Sequence, residues 1–339
     1  METLVLTCPS GKTCAALLPI LTSPPYSSRF CLRLAAHTPS SAAALCAAYP
    51  SAQVVTGDLS SLAYCAALVS GATAVFFIGP SLHSHEREMS FNMVDAAVQE
   101  SQKPESKFKH FVYSSVIGPH MRKLTQHDLK SHVEERLMLS PLRWTVIQLT
   151  NFMEALPVAL LARMESPAIE RLWSPDTPNS MVSFRDVADA VVKILTEREA
   201  HYYATYPLCS TFPVSDRAVC SVIESRIGKS ITITTPSFER AVEKVLGYLF
   251  AHTDAGKKPD VYAADWCNSG INAEGIWMPG WQDDPRPDLT RDGAERLVLF
   301  YSRHGLPGNP SVLTWLLGRK PRTVEQWIDE ELGRIGLSK

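Results

Sequence analysis

The sequence has no excess of charge of either sign and no apolar run long enough to cross a membrane. Lys and Arg number 33 and Asp and Glu number 35 among 339 residues, which gives a formal net charge of −2. A protein that binds a nucleic-acid backbone needs a basic surface, so we predict no nucleic-acid partner. Polar residues interrupt every apolar stretch before it reaches membrane-spanning length, so we predict no membrane partner. With 45% hydrophobic residues, the chain has ample material for a globular core.

The cysteines form no Cys-x-x-Cys pair and no regular framework. They are Cys8, Cys14, Cys31, Cys46, Cys65, Cys209, Cys220 and Cys267. A chain of this length buries enough apolar surface to fold without disulfides, so we interpret them as reduced thiols. Met1 and Glu2 lead into an apolar run without a cationic leader, which adds to the expectation of a cytoplasmic protein.

The first 150 residues alternate short apolar runs with longer segments of helical pattern, which is typical of βαβ units and a parallel sheet. The predicted strands are 3–7, 29–36, 53–55, 74–78, 108–114 and 144–149, and the predicted helices are 13–21, 40–48, 61–69, 86–99 and 127–139. This order predicts an α/β fold with a Rossmann-like, doubly wound parallel sheet. Right-handed crossovers bring all strand carboxyl ends to one edge, where such sheets bind ligands.

Beyond residue 150, clusters of proline and glycine interrupt the periodicity. We predict a dinucleotide-binding domain over residues 1–150 and a smaller, mixed substrate-binding lobe over residues 151–339. Residues 183–195 predict a capped helix that packs back on the first domain. Residues 215–227 and 232–234 predict a helix and a strand of the lobe.

Gly11, Lys12 and Thr13 follow the first strand, where a phosphate-binding turn is expected. The P-loop of nucleoside triphosphatases requires a second glycine at the position of Leu6, which lies inside the strand. A dinucleotide turn requires that the backbone let a pyrophosphate approach the helix N-terminus. We therefore predict dinucleotide binding at this turn, with the hydroxyls of Ser10 and Thr13 as further hydrogen-bond donors.

Short motifs along the chain share the order and spacing of one family. They are LTCPSGKTC at 6–14, GDL at 57–59, HFVYSS at 110–115, KSHVEE at 130–135, NFME at 151–154 and SFRDVA at 183–188. Together they resemble the NmrA-like family, an atypical branch of the short-chain dehydrogenase/reductase superfamily. The tail over 304–327 resembles the fungal members that are encoded beside natural-product pathways. The resemblance implies a Rossmann-like fold and a bound dinucleotide.

The family's glycine turn is degenerate in this chain. Cys8 and Cys14 occupy the first and third glycine positions, and Gly11 occupies the middle one. If the first position requires a positive φ, a side chain there costs about 1 kcal/mol or more. The middle glycine is the one that the resemblance places nearest the phosphates.

The resemblance also indicates which dinucleotide is bound. An NAD enzyme carries an acid at the end of the second strand, but this chain has none there, and the family's NADP-type arginine falls on His37. Arg33, His37 and Ser40 are therefore predicted to hold the 2′-phosphate of NADP(H); the alternative is a solvated loop. Further cofactor contacts are expected at Asp58, Leu59, Gly79, Lys130, Asn151 and Phe152.

The catalytic motif is incomplete. Members of the superfamily use Tyr-x-x-x-Lys, in which the lysine lowers the pKa of a proton-donating tyrosine. This chain has Gln126 in place of that tyrosine and retains Lys130. The resemblance places Lys130 beside the nicotinamide ribose or a substrate oxygen; the alternative is an ordinary surface lysine on an amphipathic helix.

Two histidines and the hydroxyls of the fifth strand are the candidate replacements for the missing tyrosine. His127 and His120 are proton-donor candidates because histidine titrates near neutral pH. Tyr113, Ser114 and Ser115 end the fifth strand at the ligand edge, where side-chain alternation allows one hydroxyl at most to face a substrate. Tyr113 and Ser115 are therefore also candidate catalytic residues.

The second lobe is rich in large apolar residues and predicts no metal site. The cluster at 83–86, HSHE, lacks a further ligand at standard spacing. Large side chains of the lobe are Phe152, Met153, Met164, Trp173, Trp266, Trp277, Met278 and Trp281. Some form its core, and a subset near residues 151–164 suits a pocket for a hydrophobic metabolite.

Two functional hypotheses follow. The first is an NADPH-dependent oxidoreductase, or a non-redox isomerase or cyclase on the same scaffold, acting on a hydrophobic natural-product intermediate. The second is a redox-sensing regulator that binds NAD(P) without turnover and docks on a partner protein, as the resemblance to the NmrA-like family implies. Either is compatible with a homo-oligomer. Retention of Lys130 and the aromatic second lobe favour the enzyme.

Overall fold

A computed structural model of the chain describes residues 1–81, 85–249 and 286–337. Its strands are β1 (Glu2–Leu6), β2 (Phe30–Ala36), β3 (Gln53–Thr56), β4 (Ala74–Ile78), β5 (His110–Val116), β6 (Trp144–Leu149), β7 (Asn151–Phe152), β8 (Ala168–Glu170), β9 (Met181–Val182), β10 (Ala204–Leu208) and β11 (Thr232–Thr234). Seven of them form one sheet in the order β10-β6-β5-β4-β1-β2-β3. All of its pairings are parallel. The predicted fold class is confirmed.

The helices lie on both faces of this sheet and in a smaller lobe. They are α1 (Lys12–Leu21), α2 (Tyr26–Arg29), α3 (Pro39–Ala48), α4 (Leu62–Val69), α5 (Glu86–Ser101), α6 (Thr125–Met138), α7 (Val158–Arg163), α8 (Phe184–Glu197), α9 (Asp216–Ile227), α10 (Phe238–Leu249), α11 (Arg286–Arg303), α12 (Ser311–Leu317) and α13 (Val324–Arg334). One buried cluster joins α1 and α8 to the sheet, and a second joins α4, α5 and α6 to its other face. The strands therefore read as nearly continuous apolar runs, as expected when both faces are buried.

Side chains along β5 alternate between these two clusters. Val112 belongs to the cluster with α1 and α8, whereas Phe111 and Tyr113 belong to the cluster with α4, α5 and α6. Ser115 continues the second set by the same period of two. The alternation therefore sends the Ser115 side chain toward α6.

The seventh strand, β10, was not predicted because Pro207 interrupts its pattern. β10 pairs with β6 alone and is an edge strand, where one side of the backbone needs no ladder partner and proline is tolerated. Residues beyond 150 thus add β10 to the main sheet and α8 to the layer that contains α1. The domain boundary at residue 150 itself stays a prediction.

The remaining elements form a smaller lobe. Short parallel ladders pair β7 with β9 and β8 with β11. One apolar cluster joins α7, α9 and α13, and another joins α10 and α11. Trp266, Trp277, Met278 and Trp281, which the sequence assigns to this lobe, lie outside the described residues. None of the helices in the described ranges combines the length and apolar character needed to span a bilayer.

Gly57 allows the chain to turn at the end of β3. Its amide donates to the carbonyl of Ala36 at 2.9 Å. A Cβ at this position would overlap the ring of Tyr64, whose hydroxyl donates to the carbonyl of Val55 at 3.0 Å. The next residue after this close contact, Asp58, lies at the carboxyl edge of the sheet.

We expect Gly57→Ala to destabilise the protein by about 1–3 kcal/mol, because the added methyl group must displace a packed ring. In a Tyr64→Ala background the same substitution should cost less than about 1 kcal/mol, because the obstructing ring is gone. Urea unfolding of the four variants measures both values. Gly71→Ala is the control: position 71 has a φ of +66° and open space around it, so its cost should not depend on Tyr64. Equal costs for Gly57→Ala in the two backgrounds would contradict the steric explanation.

Candidate functional site

The carboxyl end of β1 is fastened to β4 and then turns into α1. The Thr7 hydroxyl donates to the carbonyl of Ile78 at 2.9 Å and accepts from the amide of Ile78 at 2.7 Å. The turn closes where the Gly11 amide donates to the carbonyl of Cys8 at 2.9 Å. No side chain caps Gly11, the residue before α1. The first-turn amides of α1 and the exposed Lys12 therefore form a positive end at this edge.

Cys8 has a φ of +52°, the left-handed conformation expected of the first glycine of the turn. A Cβ on Gly11 would lie 2.8 Å from the Cys8 sulfur and 3.1 Å from the Cys8 carbonyl oxygen, so a larger residue here would force Cys8 to shift. Cys14 is buried, and burial raises the pKa of its thiol. Of the other predicted turn residues, Ser10 is exposed and Thr13 is half-buried in the first turn of α1.

The ends of β2 and β3 bring His37, Ser40 and Asp58 together. His37 is 73% exposed, and its Nδ1 lies 3.9 Å from Oδ2 of Asp58. Asp58 also accepts the amide of Ser60 at 2.8 Å. Thr38 caps α3, with its hydroxyl 3.1 Å from that of Ser40. Polar groups thus line this edge, while the adjoining Leu59 packs against the cluster with α4 and α5.

Arg33 does not belong to this group, which corrects its assignment to the cofactor. Its guanidinium donates to the carbonyls of Leu68 and Ser70 at 2.8 and 2.7 Å, and to the side chain of Gln53 at 2.7 Å. These carbonyls end α4 just before β4, at the amino edge of the sheet. Arg33 therefore caps the C-terminus of α4, where a cation offsets the helix dipole.

Lys130 projects from α6 to the carboxyl end of β4. Its ammonium forms an ion pair with the Glu86 carboxylate and donates to the Ser81 hydroxyl at 3.2 Å. The Lys130 side chain is 8% exposed and that of Glu86 is fully buried. A Cβ on Gly79 would lie 3.1 Å from the Ser90 hydroxyl, so this glycine lets the end of β4 approach α5 closely. The alternative of a solvated surface lysine is excluded.

His127 is buried and has no N–H available to donate to a ligand. Its Nδ1 lies 3.1 Å from the carbonyl of Gly118, which can only accept, so Nδ1 carries the ring proton. Burial lowers the pKa of His127 to about 4, so the ring is neutral at physiological pH and Nε2 is unprotonated. His120, in contrast, is exposed. The geometry therefore leaves His120 as the histidine in contact with solvent.

Tyr113 is a core residue, which corrects its assignment as a catalytic candidate. Its ring stacks on Phe77 with centroids 5.8 Å apart and is fully buried. Its hydroxyl has no hydrogen-bond partner among the described residues. Burial, together with the Glu86 and Glu134 carboxylates, raises the pKa of Tyr113 well above its usual value. Side-chain alternation along β5 directs this phenol into the core on one face of the sheet rather than toward the ligand edge.

Ser115 is bonded to a buried carboxyl group. Its hydroxyl donates to Oε1 of Glu134 at 2.5 Å. The Gln148 amide donates to both carboxylate oxygens of Glu134 at 3.1 Å. Burial raises the pKa of Glu134, although the bonds from Ser115 and Gln148 act in the opposite direction.

An apolar surface adjoins these polar groups. Ile117 and Met121, in the loop after β5, pack with Leu172 and Trp173 against the cluster of α10 and α11. The Trp173 ring lies 5.0 Å from that of Tyr301. These partly buried side chains form an apolar wall beside the carboxyl end of β5.

Asn151 and Phe152 lie at the junction with the lobe. The Asn151 amide donates to the side chain of Asn179 at 3.0 Å. Phe152 stacks on Phe184 with centroids 4.2 Å apart, and Met153 is buried in the lobe core. These contacts make Phe152 and Met153 packing residues of the junction.

Residues 2–254 match the NmrA-like family. The chain belongs to this family. By sequence, no protein of curated function matches it.

Several solved structures share the NmrA-like fold of this chain. Triphenylmethane reductase from Citrobacter sp., complexed with NADP(H), is 19% identical, with a TM-score of 0.66 over 97% of this chain and 100% of that chain. An NADPH-dependent quinone oxidoreductase from Escherichia coli, complexed with NADPH, is 16% identical, with a TM-score of 0.62 over 96% and 99%. NmrA, a negative transcriptional regulator in complex with NADP, is 14% identical, with a TM-score of 0.65 over 96% and 94%. These structural neighbours are two reductases and one regulator.

Four residues around Lys130 and Ser115 in this NmrA-like chain were not predicted as site residues from the sequence: Ser81, Glu86, Glu134 and Gln148. Glu134 follows Lys130 by four positions and so shares its helix face, which is a usable signal. Glu86 stands in the first turn of α5, directly after the loop that follows β4, where an acid is favourable. Ser81 and Gln148 carry no such signal. Within the described ranges no three metal-ligating side chains are grouped, and the metal expectation for 83–86 stays a prediction because His83 lies outside them.

We expect Lys130→Met alone to destabilise the protein by about 3–5 kcal/mol, because it leaves the Glu86 carboxylate buried without its cation. Lys130→Met with Glu86→Gln should recover at least half of that loss, because no uncompensated charge remains. Denaturant unfolding at neutral pH measures both. Lys193→Met is the control, because its pair with Glu197 is exposed and should contribute less than about 0.5 kcal/mol. Similar losses for the Lys130 and Lys193 variants would contradict a buried pair.

Proposed function

We propose that this NmrA-like protein is an NADP(H)-dependent reductase of a hydrophobic, carbonyl-containing or quinone-like acceptor. The observation that carries the proposal is the buried Lys130, held by Glu86 at the carboxyl end of β4. Burying two charges costs desolvation free energy, so a buried ion pair is weak evidence for a purely stabilising role. This pair lies at the edge where doubly wound sheets bind ligands, which supports a role in binding or catalysis.

The residues at the edge fit a dinucleotide phosphate. The first-turn amides of α1 with Gly11, Lys12 and Thr13 would hold the pyrophosphate. His37 and Ser40 would hold the 2′-phosphate, with no acid at the end of β2 to repel it. When bound, the dinucleotide supplies a hydride. Crystal structures of the reductase and regulator neighbours with NADP(H), NADPH or NADP support this assignment.

The acceptor class follows from the side chains near Lys130. The apolar wall of Ile117, Met121 and Trp173 suits a hydrophobic molecule. Gln126 cannot donate a proton as a tyrosine does, and this favours acceptors that are already electrophilic. Two of the structural neighbours, a quinone oxidoreductase and a triphenylmethane reductase, act on acceptors of that kind. We include in the proposal that the natural acceptor is an intermediate of natural-product synthesis and that the protein acts in the cytoplasm.

A regulator that binds NADP(H) without turnover is the second candidate, and one observation favours it. The Lys130 ammonium is engaged by Glu86 and the Ser115 hydroxyl by Glu134, so neither group is free in this structure. The neighbour NmrA is a regulator crystallised with NADP. A non-redox isomerase on the same scaffold is the remaining alternative, and the turnover test below separates all three.

We expect NADPH to bind about ten- to hundredfold more tightly than NADH, which corresponds to one or two charge-assisted hydrogen bonds to the 2′-phosphate. Calorimetric titration with both dinucleotides measures the ratio. His37→Asp should abolish the preference, because an acid there repels the phosphate and accepts a ribose hydroxyl. NADH is the internal control, since its affinity should not fall in this variant. Tighter binding of NADH by the unaltered protein would contradict the assignment.

We expect NADPH oxidation to depend on a quinone or aromatic carbonyl acceptor, followed as the loss of NADPH absorbance over a panel of such compounds. Lys130→Met with Glu86→Gln should lower kcat/KM about ten- to hundredfold, since one charge-assisted hydrogen bond is lost without leaving a buried charge. NADPH binding without oxidation by any acceptor would favour the regulator. Conversion of an acceptor without NADPH consumption would favour the isomerase.

A further inference from the structure

We propose that Glu134 supplies the proton of the reduction through the Ser115 hydroxyl, in place of the tyrosine that position 126 lacks. The inference rests on the proposed reductase function. Ser115 is the catalytic residue of this relay, and Glu134 acts through it from the layer beneath. Ser115 on β5 and Glu134 on α6 are 19 residues apart in the chain, and their side chains meet at the carboxyl edge of the sheet.

The contact between the two groups is short and shielded. The Ser115 Oγ lies 2.5 Å from Oε1 of Glu134, a distance typical of an O–H···O bond that involves a carboxyl group. Ser115 is 4% exposed and Glu134 is 7% exposed. A proton can therefore pass between them without an intervening water molecule.

Gln148 holds the carboxyl group in position. It stands opposite Ser115 in the β5–β6 register, and its amide nitrogen lies 3.1 Å from both oxygens of Glu134. The amide is neutral, so it stabilises the carboxylate form of Glu134 less than a lysine or arginine would, although its hydrogen bonds lower the pKa of Glu134. Gln148 therefore orients Glu134 without adding a positive charge beside it.

Burial raises the pKa of Glu134, whereas the hydrogen bonds from Ser115 and Gln148 and the charges of His120 and Lys130 lower it, and the effect of burial is the larger. Tyr113 on β5 faces Glu134 as a neutral phenol, and Glu86 on α5 faces that phenol as well. In the structure the Ser115 hydroxyl donates to Glu134. In the proposed relay a protonated Glu134 donates to the Ser115 oxygen instead, which leaves the Ser115 hydrogen free to reach a substrate oxygen.

The other proton donors near this edge are unsuitable. Gln126 does not titrate, and the only N–H of the neutral His127 ring is committed to the carbonyl of Gly118. Tyr113 is enclosed in the core. His120 is exposed, and within the described residues no hydrogen bond joins its side chain to Ser115 or Glu134.

A carbonyl acceptor would gain a hydride and a proton. The carbonyl carbon would take the hydride that a bound NADPH supplies, with NADP⁺ as the oxidised product. The carbonyl oxygen takes the Ser115 hydroxyl hydrogen as the C–O π bond becomes a C–O single bond with an O–H. Ser115 Oγ takes the Glu134 proton, which leaves a carboxylate, and solvent reprotonates that carboxylate.

The test compares Glu134→Gln with the unaltered protein in turnover with NADPH and a carbonyl or quinone acceptor. Glutamine keeps the shape and the hydrogen bonds but carries no acidic proton, so kcat should fall about 10²–10⁴-fold with little change in KM. The decline of kcat at high pH, where Glu134 loses its proton, should disappear in this variant. Glu134→Asp should restore part of kcat together with that pH dependence.

Glu100→Gln is the matched control. Glu100 is also a buried carboxylate on a helix facing the sheet, but it accepts the amide of Gly71 at 2.8 Å at the amino edge, so its loss should leave kcat and the pH profile unchanged. A Glu134→Gln variant with normal folding, kcat within threefold of the unaltered protein and the same pH profile would overturn the relay. Absence of turnover in the unaltered protein would instead overturn the reductase function itself, and the relay with it.

Discussion

The parallel pairing of the central sheet is the constraint on which the site depends. In a parallel sheet the chain must cross back to the same end before each new strand begins, so all strand carboxyl ends lie at one edge. The hydrogen bonds between Thr7 and Ile78 join the carboxyl ends of the adjacent strands β1 and β4 at that edge. Glu86 and Lys130, 44 residues apart, meet there because α5 and α6 follow adjacent strands. The polar cluster is therefore a consequence of topology.

Two buried carboxyl groups in this cluster have different partners. Glu86 forms a buried ion pair with the Lys130 ammonium. Glu134 is held by the neutral donors Ser115 and Gln148, and burial raises its pKa. One carboxyl group thus faces a charged partner and the other faces hydrogen-bond donors without charge. This difference in partners connects the fold to the proposed reduction.

Particular residues show how far sequence patterns reached. The strands β4 and β6 and the short β11 were predicted with their observed bounds, because turn residues on both sides delimit each apolar run. β10 was missed because Pro207 is a signal against central strands, whereas an edge strand tolerates it. The Arg33 side chain was assigned to the carboxyl edge but reaches the amino edge, since alternation specifies the face of a sheet and not the direction along a strand.

The sequence by itself determined the α/β class, the glycine-dependent turn after β1 and the presence of Lys130 on the helix after β5, because local periodicity and turn residues encode these features. Only the tertiary structure decided the partner of each titratable group. Lys130 forms an ion pair with Glu86, and Ser115 forms a hydrogen bond with Glu134. The Tyr113 hydroxyl has no hydrogen-bond partner among the described residues. Such pairs depend on how α5 and α6 pack on the sheet, and packing across distant segments leaves no periodic trace in the sequence.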